Sequence, residues 1–518
     1  MEKYLLSVDC GTQSLRALIF DMQGHIIDKV KIPYEPYFSN RAGWAEQDSE
    51  LYWGSLCKAT RELKQRKPRE FAQIGGVGVT AIRDSIVLLD KDGKPLRPVI
   101  VWLDERKAKR VYAPFFLVKP FYALAGMGEA IFKTQVDCKA NWVMQNEPEI
   151  WAKTYKCLQV SGFLNFRLTG KFIDSSASQI GHIPVNYKKI RWSKKNEINM
   201  KVFPIEIERL PDLVNPGDII GEISDSAEVL TGISRGTPVI ACGSDKGCET
   251  IGMGVVDTSM ASLSFGTTAT VQTTTPFYCE PLKYMPAYPA PFTGFYNPEV
   301  EIFRGYWMIS WFRDQFGFKE VSESENSGVP PEELLNRLLS QVPAGSMGLI
   351  VQPFWKPGLK FPSQKGAIIG FGDVHTRAHI YRAVIEGLGY ALRDGLYRIE
   401  KVTRSKVKTL AVSGGASQSD EICQISADIF NLPLVRGETY ETSGLGCAMV
   451  VAYGIGLYDS MDSAIKSMMR YGRTFTPNPE NVEIYDSLYR KVYSKMAKTL
   501  SPLNKEIRNI TDYPEKID

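Results

Sequence analysis

The chain has 518 residues, of which 44% are hydrophobic and 23% charged, values that are ordinary for a soluble globular protein. The formal net charge is only +4 and no Lys/Arg-rich run stands out, which argues against a nucleic-acid partner. No apolar run reaches the ~18 residues of a membrane span, so we expect no membrane association. The length is compatible with two domains of roughly 250 residues each.

Cysteine usage and the N-terminal sequence bear on the compartment. The nine cysteines are scattered and form no Cys-x-x-Cys pair, which is typical of reduced thiols. The N-terminus runs into strand-like sequence without the apolar core of a signal peptide. We therefore expect a cytoplasmic protein.

In the first half of the chain, the pattern predicts a hairpin followed by a third strand, at residues 4–8, 15–20 and 26–31. Polar turns at 9–14 and 21–24 separate these strands. Further strands are predicted at 74–80, 85–89 and 237–242, and the stretch 142–170 is predicted to be mainly helical.

The second half repeats part of this pattern. Strands at 261–265 and 269–273 flank a Gly-Thr turn like that of the first hairpin, which suggests an internal duplication, although such turns are common enough for coincidence. A helix at 378–401, a strand at 409–412, a helix from Ser419 to residue 430 and a buried helix within 445–458 follow. Residues 319–331 are predicted to be a surface loop, and the chain past Gly472 a short charged tail. The alternation of strands and helices predicts the α/β class.

The turn after the first strand has the composition of a phosphate-binding loop. Gly11, Thr12 and Gln13 can present backbone N–H groups and polar side chains to phosphate oxygens. Asp9 at one end could hold Mg²⁺, and Arg16 at the other could offset charge on a transferring phosphoryl group. An ordinary hairpin is the alternative interpretation. Neither a Walker-type loop nor the protein-kinase motifs occur in the sequence.

A second candidate site follows the predicted strand at 237–242. Asp245 stands after Gly243 and Ser244, where ligands bind in α/β folds, and could accept a hydroxyl proton as general base. A turn or helix-capping aspartate is the alternative.

Taken in order, the motifs resemble those of the FGGY carbohydrate kinases, relatives of glycerol kinase and xylulose kinase. The resemblance covers nearly the whole chain, and its ordered set is specific although each motif alone is weak. The matching stretches are residues 9–16 with 20–21, 43–48, 102–106, 139–142 with 146–148, 243–245, 265–268, 366–370, 382–387, 413–416 and 424–428.

The resemblance implies two actin-like (ribonuclease-H-like) ATPase domains with a cleft between them. Residues 1–254 would bind the sugar and residues 255–518 would bind ATP. Asp245 would be the catalytic base, with Mg²⁺ held by Asp9 and Asp245. The phosphates would face Thr12, Gly266 and Thr267, and the adenosine would lie near Gly414, Gly415, Ala416 and Ser419.

The expected function is therefore phosphorylation of a small sugar or polyol by Mg-ATP. Relatives are often dimers or tetramers, so a homodimer or homotetramer is possible. One alternative is an actin-fold sensor or scaffold that binds ATP without kinase activity. A heat-shock-type ATPase is disfavoured, because that class needs a further domain beyond Gly472.

Substrate contacts are predicted at Arg83, Asp84, Trp102 and Lys246, beside Asp245. Arg83 and Asp84 resemble the Arg-Glu pair of glycerol kinases and could hold neighbouring hydroxyls, the alternative being a structural ion pair. Lys246 would depress the pKa of Asp245 and could attract an anionic substrate. We expect a polyol or ketose larger than glycerol, with a sugar acid as the alternative.

Overall fold

The structure is a computed structural model that describes residues 3–113, 127–283, 285–356 and 364–513. The strands of the first half are β1 Tyr4–Cys10, β2 Ser14–Phe20, β3 Ile26–Pro33, β4 Glu46–Gln47, β5 Ile74–Ala81, β6 Ile86–Leu89, β7 Val99–Ile100, β8 Lys156–Gln159, β9 Ile173–Ser175, β10 Val185–Asn186, β11 Arg191–Trp192, β12 Asp212–Val214, β13 Ile219–Glu222 and β14 Pro238–Ile240. Its helices are α1 Ser49–Arg66, α2 Pro68–Phe71, α3 Met127–Val136, α4 Lys139–Asn146, α5 Pro148–Lys153, α6 Val160–Thr169, α7 Ile198–Val202, α8 Asp225–Thr231 and α9 Asp245–Gly252.

The second half continues this alternation of strands and helices. Its strands are β15 Met260–Phe265, β16 Ala269–Gln272, β17 Tyr288–Pro289, β18 Tyr296–Asn297, β19 Glu299–Ile302, β20 Ile350–Gln352, β21 Ala367–Ile369, β22 Thr409–Ser413, β23 Leu434–Gly437 and β24 Tyr471–Phe475. Its helices are α10 Trp307–Phe316, α11 Phe318–Ser327, α12 Pro331–Asn336, α13 Arg377–Thr403, α14 Asp420–Phe430, α15 Thr442–Gly454, α16 Met461–Met468, α17 Pro479–Leu488 and α18 Ser494–Thr511.

Each half is built on a six-stranded sheet, and the two sheets share one topology. The first has the order β13-β14-β5-β1-β2-β3 and the second β24-β23-β22-β15-β16-β19. In both, an antiparallel meander (β1-β2-β3 or β15-β16-β19) is extended by two parallel strands and closed by an antiparallel edge strand. The predicted α/β class and internal duplication are confirmed.

The first sheet is covered on both faces, which explains why every residue of β1 is buried. Leu6 and Val8 face a core shared with α1 and α6, whereas Leu5 faces a core that includes α15. The helix α15 comes from the second half of the chain, as does α16, which joins the same core. The predicted domain boundary at 254/255 stays a prediction, and these two helices lie on the first sheet although they follow that boundary.

Three predictions of secondary structure were wrong in part. The helical stretch 142–170 is interrupted by β8, which pairs with β6. The predicted loop at 319–331 contains α11, whose Glu320 is buried against Arg377 at 2.6 Å, so most of this polar segment is a surface helix. The predicted tail past Gly472 forms β24, α17 and α18. Its Tyr485 is fully buried in the hydrophobic core of the second half. Within the described ranges, no helix has the length and apolarity needed to cross a membrane.

Candidate functional site

Two carboxylates lie at one edge of the first sheet. Asp9 is near the carboxyl end of β1 and Asp245 follows β14, and both strands run parallel to β5. Thr80 of β5 is the register partner of Asp9 and donates a hydrogen bond to the Gly243 carbonyl at 3.0 Å. Ser244 caps α9 by accepting from a backbone N–H, so Asp245 becomes the first residue of that helix. This is the edge at which α/β folds bind ligands.

Burial raises the pKa of Asp245, although Arg83 and Lys246 oppose that effect. Lys246 lowers the pKa of Asp245, as predicted, but burial outweighs it and the net shift is upward. The reason is geometric: the Lys246 ammonium donates to Glu249 Oε2 and to Ser264 Oγ, each at 2.7 Å. Its charge is balanced by Glu249, the residue one helical turn away, and desolvation dominates at Asp245.

Asp9 is a second buried carboxyl with a perturbed pKa. Burial raises its pKa to about 6, and Asp245 adds to the rise while Arg16 opposes it. Arg16 donates to Asp9 Oδ2 at 3.1 Å and lies 3.4 Å from Glu441, so this guanidinium is already balanced by two carboxylates.

The donor set fits Mg²⁺. Asp9 is buried and Asp245 is half-buried, and a divalent cation would relieve the repulsion between their charges. Oxygen ligands are what Mg²⁺ prefers. Among the described residues, no group of three or more His, Cys, Asp or Glu is arranged to hold a metal. Water and phosphate oxygens would therefore complete the coordination of an ion held by Asp9 and Asp245.

The first predicted phosphate turn is held from two sides. The Gly11 N–H donates to the Ser14 carbonyl at 3.0 Å, and the Gln47 side chain donates to the Thr12 carbonyl at 3.1 Å. Trp102 Nε1 donates to Thr12 Oγ1 at 2.9 Å, which joins a predicted substrate residue to a predicted phosphate residue. Gln13 is exposed at the tip of the turn.

The predicted nucleotide turns of the second half lie against each other. A Cβ on Gly414 would lie 2.7 Å from the Phe265 carbonyl carbon, and Gly414 has φ +88°, so only glycine allows this approach. Gly266 is next to that contact, and Thr267 and Gly415 are exposed beside it. Ala416 is half-buried, while Ser419 caps α14 by accepting from the Ile422 N–H.

Arg83 and Asp84 do not pair with each other. Arg83 makes two hydrogen bonds to Glu299, at 2.8 and 3.1 Å, and its Nε lies 3.8 Å from Asp245. Asp84 accepts from Lys139 at 2.6 Å and contacts His182 Nδ1 at 2.9 Å. Burial alone would raise the pKa of Asp84, but His182 and Lys139 outweigh it and hold that pKa well below its usual range. The alternative of an ion pair between Arg83 and Asp84 is therefore wrong, and the substrate contacts of both residues stay predictions.

Sequence reasoning missed Glu299, Glu301, His182 and Tyr288. Glu299 and Glu301 alternate with apolar residues along β19, a period-2 signal that was available in the sequence. Tyr288 lies beneath the Arg83 guanidinium, 5.5 Å from it. The contact between Arg83 and Glu299 spans the two halves of the chain, and no local pattern could have shown it.

Several matched motifs support the site without entering it. Arg106 donates to Asp104 and, at 2.9 Å, to Glu46, and its guanidinium lies 3.9 Å from the Trp44 ring. Asp104 also accepts from the Ala45 N–H at 2.7 Å. This buried network fixes the segment that carries Trp102, so its role is to position the wall of the cleft.

Two equivalent sheets, with the half-buried Asp245 beside one and glycine turns on the other, have the arrangement of an actin-like phosphotransferase. A family model for the N-terminal domain of the FGGY family of carbohydrate kinases matches residues 4–252, and one for the C-terminal domain matches residues 261–455. The chain belongs to the FGGY family of carbohydrate kinases, and it is a carbohydrate kinase.

Individual relatives cover almost the whole chain. The uncharacterized sugar kinase YgcE of Escherichia coli (strain K12) is 30% identical over 96% of this chain and 94% of its own length. A xylulose kinase of Lactococcus lactis subsp. lactis (strain IL1403) is 27% identical over 98% and 99%. The crystal structure of a gluconate kinase from Lactobacillus acidophilus superposes with a TM-score of 0.79 at 23% identity, covering 98% of each chain. That structure confirms the two-domain actin-like fold.

Proposed function

We propose that this kinase transfers the γ-phosphoryl group of Mg-ATP to a hydroxyl of a small sugar or polyol, with Asp245 as general base. The observation that carries the proposal is the half-buried position of Asp245 at the start of α9, where desolvation raises its pKa. A carboxylate with a raised pKa is a stronger base for a hydroxyl proton.

The surrounding groups hold Asp245 in place. Its Oδ1 accepts from the Lys246 N–H at 2.8 Å, and the positive end of α9 favours the ionised form. Arg83 Nε, 3.8 Å away, adds a cation that orients the same carboxylate. An acceptor hydroxyl between Asp245 and the two glycine turns would be positioned for in-line transfer.

The remaining predicted residues lie in both halves of the chain. Asp9 and Asp245 would hold Mg²⁺, which offsets negative charge as the phosphoryl group moves. The turn containing Thr12 and the paired turns at Gly266 and Gly414 would bind phosphates and adenosine through backbone N–H groups. Because Trp102 bonds to Thr12, substrate contact at that indole would also order the phosphate turn.

The test is ADP release from Mg-ATP across a panel of polyols, ketoses and sugar acids. Asp245→Asn should lower kcat/KM by at least ~10²-fold with the best acceptor, since a general base contributes ~10²–10⁴-fold. Asp225→Asn is the matched control, because Asp225 also follows an N-capping serine at the start of a helix but is exposed.

Activity of Asp245→Asn within tenfold of wild type would contradict the role of Asp245. ATP binding without turnover of any acceptor would instead favour an actin-fold sensor or scaffold. Acceptor-independent ATP hydrolysis would indicate an ATPase.

A further inference from the structure

One face of the second sheet is polar and lies against α9. The register places one row of side chains across four strands: Ser413, Ser264, Thr270 and Glu301. Ser264 donates to Glu249 at 2.9 Å, and Ser413 also donates to Glu249, so this row contacts the helix that begins with Asp245. Glu301 stands at the β19 end of the row, beyond the part that α9 occupies.

Glu299 and Glu301 are two residues apart on β19 and therefore project from the same face. Glu299 is the carboxylate that holds Arg83. Among the described residues, no hydrogen-bond or ion-pair partner is found for the Glu301 carboxyl. Burial and the neighbouring Glu299 raise the pKa of Glu301 to about 7, while Arg83 lowers it.

The cations around the site are already neutralised. Arg83 is paired with Glu299, Lys246 with Glu249, and Lys139 with Asp84. Each pair joins one cation to one carboxylate at 2.6 to 2.8 Å. Arg83 also lies 3.8 Å from Asp245, so Glu301 is the carboxyl beside Arg83 for which no partner is found among the described residues.

An anionic acceptor would therefore meet the Glu301 carboxylate without a free partner among these three cations. A neutral acceptor would instead offer hydroxyl groups, for which an unpartnered carboxylate is a strong hydrogen-bond acceptor. A structural neighbour is named a gluconate kinase, so the fold alone does not decide the charge of the acceptor.

We propose that Glu301 is a specificity-determining residue of the acceptor site, which accepts hydrogen bonds from a neutral polyol or ketose and excludes sugar acids. The inference rests on the proposed kinase function and specifies its substrate class. It replaces the expectation that Lys246 attracts an anionic substrate, because that ammonium is held by Glu249 and Ser264.

The experiment compares acceptors matched in carbon number: an alditol, a ketose and an aldonate of five and of six carbons. Wild type should favour the best neutral acceptor over its matched aldonate by at least ~100-fold in kcat/KM. Glu301→Gln preserves shape and removes the charge, so this ratio should fall by at least ~10-fold, with KM for ATP unchanged within about twofold. Glu222→Gln, an exposed glutamate at the end of β13, should leave the ratio unchanged.

The ratio of kcat/KM for the neutral acceptor to kcat/KM for its matched aldonate should also depend on pH. Above about pH 7 Glu301 is ionised, so discrimination against the aldonate should grow from pH 6 to 8 in wild type and stay flat in Glu301→Gln. Titration of Asp245 affects both acceptors and cancels in the ratio. The charged or titratable groups that face Glu301 are Glu299, Arg83, Asp245, Lys246 and Tyr288.

A wild-type preference for an aldonate would overturn the inference and leave the kinase proposal standing. A neutral preference that Glu301→Gln leaves within twofold would overturn the role of Glu301 alone. If no acceptor were phosphorylated, the proposed function and this inference would both fail. A thermal melt of each variant separates loss of folding from loss of selectivity.

Discussion

Two of the contacts between the halves of the chain have opposite character, and α9 takes part in both. On one side, α15 packs on α9 and on the first sheet through an apolar core that includes Cys248, Ile251 and Leu445. On the other, the second sheet reaches α9 through hydroxyls and carboxylates, among them Ser264, Glu249 and Thr250.

The difference predicts which contact can open. Separating an apolar contact exposes surface at about 25 cal/mol per Å², with no compensation from water. Separating a polar contact exchanges protein hydrogen bonds for hydrogen bonds to water, at a small net cost each. We therefore expect α9, with Asp245, to stay on the first sheet while the second sheet moves, which opens the space beside the proposed general base.

The apolar contact should be the most sensitive to substitution. A Cβ on Gly446 of α15 would lie 1.9 Å from the Cys248 carbonyl oxygen of α9, and both atoms belong to packed helices. Gly446→Ala should therefore destabilise the protein by about 3 kcal/mol or more, despite the better helix propensity of alanine. Chemical denaturation followed by circular dichroism measures this loss.

Gly54 of α1 is the matched control, since a Cβ there meets nothing within 4 Å. Gly54→Ala should leave stability unchanged or raise it by up to ~1 kcal/mol. Similar stabilities for the two variants would contradict the close packing of α15 on α9.

Substitutions in the polar contact should lower the stability less than substitutions in the apolar contact, and the loss should depend on charge. Glu249→Gln removes the anion beside the Lys246 ammonium, whose side chain is 20% exposed. Loss of one partner from a largely buried pair destabilises because the other charge remains, and we expect roughly 2 kcal/mol. Thermal denaturation at pH 7.5 is the measurement.

A double variant shows whether charge is the cause. Lys246→Met/Glu249→Gln removes both charges and should recover at least half of the stability that Glu249→Gln loses. If the double variant were as unstable as the sum of the two single variants, the pair would not carry the contact.

The local parts of this architecture could be predicted from the sequence. The strands β1 and β14 are apolar runs followed by glycine and polar residues, and such patterns depend on neighbours in the chain. The capping role of Ser419 and the buried helix within 445–458 are of the same kind. These predictions were confirmed because the deciding interactions lie within one or two turns.

The contacts across the cleft could not be predicted. Arg83 is adjacent to Asp84 in sequence but binds Glu299, 216 residues away, because the packing of two sheets decides its partner. The pair of Lys246 and Glu249 is different, because a spacing of three on one helix favours such pairs and the sequence could have indicated it. The roles of Asp9, Asp245 and the glycine turns in binding Mg-ATP stay predictions.

The smallest expected effect on the free energy of unfolding concerns Asp9 of β1, where a substitution should stabilise the protein and not destabilise it. The folded state binds the Asp9 proton more tightly than the unfolded state does, since burial raises its pKa from 3.8 to about 6. The free energy of unfolding should thus fall as pH rises from about 4 to about 6, and stay lower above that range. Without Mg²⁺ at pH 7.5, Asp9→Asn should therefore raise stability by about 1–2 kcal/mol, less than the roughly 3 kcal/mol that the whole shift represents.

Differential scanning calorimetry with and without Mg-ATP tests this prediction. Wild type should gain stability from Mg-ATP, while Asp9→Asn should lose at least half of that gain and its advantage should vanish near pH 4. Asp174 is the matched control, because burial raises its pKa to about 6 as well. Its carboxylate accepts hydrogen bonds from Ser161 and Asn165 and is not a predicted Mg²⁺ ligand. Asp174→Asn should therefore keep the Mg-ATP gain. An Asp9→Asn protein that is less stable than wild type without Mg²⁺ would show that the carboxylate serves the fold and not the metal.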